Sequence, residues 1–131
     1  MKVVTLTEGG KKIGFGHVMR CISLCEAFEE RNIFPILIIN ADFSIGRIIR
    51  NRSFECFNWL INKEKLFSYI IDTDILIVDS YLADINLYKE ISNLVKMVVY
   101  IDDDNRIDYP KGIIINGSIN AENLNYSKND K

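Results

Sequence analysis

The sequence predicts an α/β fold in three layers, a parallel sheet with helices on both faces. Three observations carry this. Short apolar runs rich in Val and Ile recur along the chain, amphipathic stretches of helical spacing separate them, and at least three of the runs end in polar residues. The run Asp74-Ile75-Leu76-Ile77-Val78-Asp79 is nearly continuous in apolar residues, as a strand covered on both faces must be. At 131 residues, with 48% apolar and 26% charged residues, the chain is one domain's worth of ordinary globular composition.

The elements follow in order. Val3-Val4-Thr5-Leu6 suits a buried first strand. A connection carrying Gly9, Gly10, Gly14 and Gly16 leads into a helix whose apolar face is Val18, Cys21, Ile22, Cys25 and Phe28, with Glu26, Glu29, Glu30 and Arg31 largely opposite. Asn32 makes a plausible stop, and 34–39 reads as the second strand, with Pro35 near its start where a missing N–H is tolerated. Asp42 or Ser44 caps a short helix through Ile45, Ile48 and Ile49, with Arg47, Arg50 and Arg52 turned to water or, alternatively, to a phosphate. A brief third strand spans 54–57, and 63–71 has helical spacing at Leu66, Phe67 and Ile70. After the 74–79 strand, Asp84 caps a helix with a Leu87, Ile91, Leu94 and Val95 stripe closed by Lys96. Strands at 97–101 and 113–115 complete six, in the expected order 3-2-1-4-5-6. From residue 117 to 131 the chain is rich in Asn, Ser and Lys and reads as a linker or frayed tail, so residues 1–116 form the domain.

Several function classes are set aside. A net charge of −2 with scattered Lys and Arg gives no nucleic-acid footprint. No apolar run is long enough to span a bilayer and no signal-peptide pattern opens the chain, so a cytoplasmic location is expected. Cys21, Cys25 and Cys56 match neither a zinc site nor a disulfide framework, and all three read as reduced.

The chemistry gathers at strand ends. His17, the chain's one histidine, stands where the glycine-rich connection enters the first helix. Histidine is the residue type whose unperturbed pKa lies near neutrality, and the opening turn of a helix offers unpaired N–H groups to a polar or anionic ligand. Gly14 and Gly16 let the backbone turn and a ligand approach. The third glycine of the dinucleotide fingerprint is replaced by Met19, and no Gly-Lys-Ser/Thr follows, so neither a nicotinamide site nor a P-loop is indicated. In the 3-2-1-4-5-6 order the first and fourth strands are neighbours, which places Asp79-Ser80-Tyr81 across the crevice from His17. Asp79 either orients His17 or caps its own turn, and Tyr81 either lines the crevice or packs its ring. Asp102 and Asp103 end the next strand; adjacent residues project to opposite sides, so they do not by themselves form a metal cage. Asn116 ends the sixth strand.

Together, Gly14-x-Gly16-His17-Val18-Met19-Arg20-Cys21, Asp79-Ser80-Tyr81, Ile101-Asp102-Asp103 and Ile115-Asn116 resemble the amino-terminal half of the nucleotide-sugar hydrolases of pseudaminic acid biosynthesis. The related spore-coat polysaccharide proteins and, more distantly, GT-B glycosyltransferases are similar. The resemblance spans Lys2 to about Asn116. It implies the amino-terminal domain of a GT-B fold and a hydrolase that removes UDP from a diacetamido-trideoxyhexose. His17 would be general base and Tyr81 a wall or hydrogen-bonding group of the site, with Gly14, Gly16, Arg20, Asp79, Ser80, Asp102, Asp103 and Asn116 around the substrate. No cofactor or metal is required for that reaction. The expected partners are a UDP-sugar and a carboxyl-terminal nucleotide-binding domain, in cis or trans, which in that family supplies most of the uridine and diphosphate contacts. One departure is local: where many such proteins carry Arg-x-Asp-Gly, this chain has Leu6-Thr7-Glu8-Gly9. Two other readings stand beside this one, the acceptor-side domain of a glycosyltransferase and a non-catalytic sugar-nucleotide binding module.

Overall fold

A computed structural model describes residues 1–42, 44–49, 51–104 and 106–116. Arg50 and the polar stretch 117–131 lie outside the described residues. Ten elements follow one another: β1 (Val3–Glu8), α1 (Gly16–Glu29), β2 (Ile36–Asn40), α2 (Ile45–Ile48), β3 (Glu55–Cys56), α3 (Lys63–Ile70), β4 (Thr73–Asp79), α4 (Ile85–Ser92), β5 (Val95–Ile101) and β6 (Ile113–Ile115). The strands form one sheet in the order β3-β2-β1-β4-β5-β6, every pair parallel. This is a Rossmann-like three-layer α/β fold.

Alternation along the strands assigns the two faces. Val4, Leu6, Leu76, Val78, Val98 and Tyr100 pack with Leu66 and Ile70 of α3 and with Leu87 and Ile91 of α4. On the other face Leu37 and Ile39 meet Val18, Cys21 and Cys25 of α1 and Ile45 of α2. Each fully buried Leu or Ile contributes about 1.5–3 kcal/mol relative to exposure. Beyond α1, an open groove of about 330 Å³ runs over Leu24, Phe28, Ile75, Ile77, Val99 and Ile101. Among the described residues no helix is long and apolar enough to cross a membrane.

The boundaries differ from expectation where side chains give weak signals. α4 stops at Ser92, and Asn93 and Leu94 turn the chain. Val95 and Lys96 therefore belong to β5, not to the helix, and Lys96 pairs with Asp74 at 3.0 Å. The third strand shrinks to two residues. Ser44 stands at the N-cap of α2 without a side-chain cap bond; Asp42 instead accepts from the Ser44 backbone N–H at 2.9 Å and from its hydroxyl. Arg52 is not turned to water, since it forks onto Glu29 at 2.7 and 3.0 Å. Asn32 ends the first helical segment in the left-handed region, φ 63°, as its role as a stop requires. Asp84 caps α4, accepting from Leu87 N–H at 2.9 Å.

Candidate functional site

The site is built at the carboxyl rim where β1 and β4 lie side by side, Thr7 opposite Asp79. Period-two alternation decides what each rim residue does. Asp79, in phase with Ile75 and Ile77, points to the α1 side; Ser80 points to the other. One strand further on, Asp103 is in phase with Ile101 and faces α1, while Asp102 follows Tyr100 to the opposite side.

On the α1 side the expected partners meet. His17 Nδ1 donates to Asp79 Oδ1 at 2.5 Å, with the carboxylate fully buried and the imidazole nearly so. Arg20, one turn later on α1, forks onto the same carboxylate, Nε to Oδ2 at 2.6 Å and Nη2 to Oδ1 at 2.9 Å. Its Nη1 reaches Asp103 at 2.9 and 3.1 Å. Burial alone would raise the Asp79 carboxyl, but the hydrogen bonds from His17 and Arg20 outweigh it and hold the group below its ordinary value. The Arg20 guanidinium is in turn held firmly protonated, chiefly by its hydrogen bond to Asp79. An ionised Asp79 accepting from Nδ1–H selects, for a neutral imidazole, the tautomer whose lone pair is on Nε2. Among the described residues Nε2 has no hydrogen-bond partner, and it is not one of the buried side-chain atoms cut off from solvent.

Tyr81 closes the other side of the imidazole. The two rings meet edge to face, centroids 4.3 Å apart at 88°, and Tyr81 is otherwise 42% exposed. Its hydroxyl is pushed above the ordinary phenol value by burial and then by Asp104 and Asp103.

The glycines divide their labour. Gly10 and Gly14 exchange two backbone hydrogen bonds, 3.1 and 2.7 Å, closing a tight loop that presents Lys11 and Lys12. Gly14 has φ 81°, where a Cβ is strained. In front of Gly16 the space is open, nothing lying within 4 Å of where a Cβ would be. Phe15, the residue before α1, makes no side-chain cap bond, and the first turn holds no acidic residue. On the β2 side of the loop a pocket of about 280 Å³ is lined by Lys11, Asp42, Ser44 and Arg47.

Two of the predicted substrate groups are committed inside the protein. Ser80 donates to Glu8 Oε1 at 2.6 Å and accepts from Leu82 and Ala83 N–H at 3.1 and 3.0 Å. Asp102 accepts from Asp104 N–H at 2.8 Å and Arg106 N–H at 3.0 Å, bracing the loop after β5. Asn116 follows β6 on the same rim, two strands beyond β4. The residue that sequence reasoning missed is Glu8, wholly buried at the end of β1. Its signal was a charged side chain directly continuing an apolar strand, in phase with Val4 and Leu6. The cysteines bear out their reading as free thiols, Cys21 and Cys25 buried and Cys56 exposed.

No protein-family model matches the chain, and no solved structure matches it. A stretch of 125 residues is 25% identical to the uncharacterized protein MJ1062 of Methanocaldococcus jannaschii, covering 93% of this chain and 26% of that protein. The chain thus spans about a quarter of the length of this relative.

Proposed function

We propose that this chain is the catalytic half of a nucleotide-sugar hydrolase, releasing UDP from a UDP-diacetamido-trideoxyhexose in pseudaminic-type acid or surface-polysaccharide biosynthesis. The observation that carries the reading is the His17–Asp79 pair at the carboxyl rim of the sheet, with Nε2 left for a ligand or water. A neutral imidazole so held can take a proton from water as the water oxygen bonds to the anomeric carbon and the bond to the UDP oxygen breaks. Asp79 then stabilises the imidazolium that forms, as a buried carboxylate does in a catalytic triad. Arg20 keeps Asp79 in place, and the open space before Gly16 at an uncapped helix start suits a close polar ligand. The diphosphate is held by a second, nucleotide-binding domain.

The test is UDP release by this chain joined to, or mixed with, such a domain. His17→Asn should reduce release by at least about 100-fold, the usual contribution of a general base. Unchanged release would end the assignment. Transfer to a sugar or lipid hydroxyl in preference to water would make the same base that of a glycosyltransferase, and binding without turnover would leave a sugar-nucleotide module.

A further inference from the structure

We infer that Glu8 is the positioning residue of this site: through the loop after β4 it sets the ring of Tyr81 against His17. Its importance for catalysis rests on the hydrolase reading, whereas its action on geometry does not.

Glu8 is fully buried, and its hydrogen-bond partners among the described residues belong to one short loop. Oε1 takes the Ser80 hydroxyl at 2.6 Å, and Oε2 takes the backbone N–H groups of Tyr81 at 2.7 Å and Leu82 at 3.1 Å. Ser80 Oγ in turn accepts from Leu82 and Ala83. Three consecutive N–H groups are thereby satisfied by two side chains from the ends of adjacent strands. The loop is pinned by its own backbone: the Ala83 N–H is buried, and those of Tyr81 and Leu82, which solvent would otherwise satisfy, are tied to Glu8 instead. Tyr81 is the residue in that loop whose ring reaches the imidazole, 4.3 Å away.

The arrangement requires a carboxylate. In Glu8→Gln the new amide must face one of two donor sets. Turned to Tyr81 and Leu82 it opposes N–H with N–H. Turned to Ser80 it brings a third donor to a hydroxyl oxygen that already accepts two, and the hydroxyl proton loses its acceptor. Either way the loop shifts and Tyr81 moves with it.

His17 is the sole histidine, so its ring-proton NMR signals in the intact chain need no assignment strategy. The difference in their shifts between wild type and Tyr81→Leu measures the Tyr81 ring current. Folded Glu8→Gln, checked by circular dichroism, should lose more than half of that difference. Ser80→Ala, which removes one of the loop's two grips, should lose a smaller part of it and serves where Glu8→Gln does not fold. A wild-type His17 shift in either folded variant overturns the inference, because a residue that merely stabilised the fold would lower stability and leave that signal in place. The outcome separates from that of the hydrolase reading. Moved shifts with His17→Asn still releasing UDP would leave Glu8 a positioning residue in a site of other chemistry. Unmoved shifts with release abolished would remove Glu8 and keep the base.

Discussion

Replacing Asp79 by Asn tests the centre of the site directly. The carboxylate accepts three hydrogen bonds, from His17 Nδ1, Arg20 Nε and Arg20 Nη2, and is buried. Hydrogen bonds to charged groups contribute about 1.5–3 kcal/mol each. The amide oxygen, placed at the Oδ1 position, still accepts from His17 Nδ1 and Arg20 Nη2. The amide nitrogen then opposes Arg20 Nε and the carboxylate charge is gone from the surviving bonds, while the Arg20 side chain, 36% exposed, recovers part of its solvation. The expected loss is about 2–4 kcal/mol, below the upper range for breaking a buried ion pair. With a urea slope of about 1–3 kcal/mol per molar, the unfolding midpoint should fall by about 1–2 M at pH 7. Trp59 is the only tryptophan, fully buried and bonded to Thr7 C=O at 2.8 Å, so its fluorescence reports unfolding beside the site. The pH dependence has a definite sign. Asp79 titrates lower in the folded chain than in the unfolded one, so its contribution is complete above about pH 4 and is lost as pH falls through the folded value. The gap between wild type and variant should therefore be flat from neutrality down to about pH 5 and close only in strong acid. A midpoint shift under about 0.3 M, or a gap that closes near pH 6, would refute the assignment of an ionised, load-sharing Asp79.

Other outcomes follow from single features of the same rim. Gly14→Ala should lose about 1–2 kcal/mol because φ is 81°, while Gly16→Ala should leave stability unchanged or raise it by up to about 0.5 kcal/mol, both read by thermal unfolding. If the space before Gly16 receives a ligand, that stable variant should bind UDP-sugar more weakly by calorimetry in the presence of the second domain. Arg20→Lys keeps the charge but not the fork, and should lower the urea midpoint by less than Asp79→Asn. A thiol reagent should titrate one cysteine rapidly in the folded chain and three after unfolding. Cys56 is exposed, whereas burial pushes the Cys21 and Cys25 thiols up and keeps them inert.

The fold was legible because its signals are of long range in the sequence and redundant. Six apolar runs, most of them separated by helices, favour a parallel sheet, and the strand order agrees with the expected one. Boundaries were less legible, for a physical reason. Leu94 and Val95 continue the spacing of α4, yet the backbone leaves the helix at Asn93, and nothing in apolar spacing distinguishes a last helical turn from a turn into a strand. Arg52 was misread because its partner, Glu29, lies on α1, and a contact between separate elements leaves no mark on local pattern.

The same distinction explains the site. His17 and Asp79 could be brought together on paper because each ends or follows a strand, and the topology makes those strands neighbours. What periodicity also contained, and what matters most for function, is the division of Asp79 from Ser80 and of Asp103 from Asp102 between the two faces. The α1 face received the charged triad that holds the imidazole. The opposite face received the side chains that hold loops, and there Glu8 takes the place of the solvent that would otherwise satisfy Tyr81 and Leu82 N–H. A buried carboxylate persists where several donors converge on it. Here those donors belong to the loop that carries Tyr81, so the hydrogen bonds that satisfy the Glu8 carboxylate in the interior are the same ones that hold the ring beside His17.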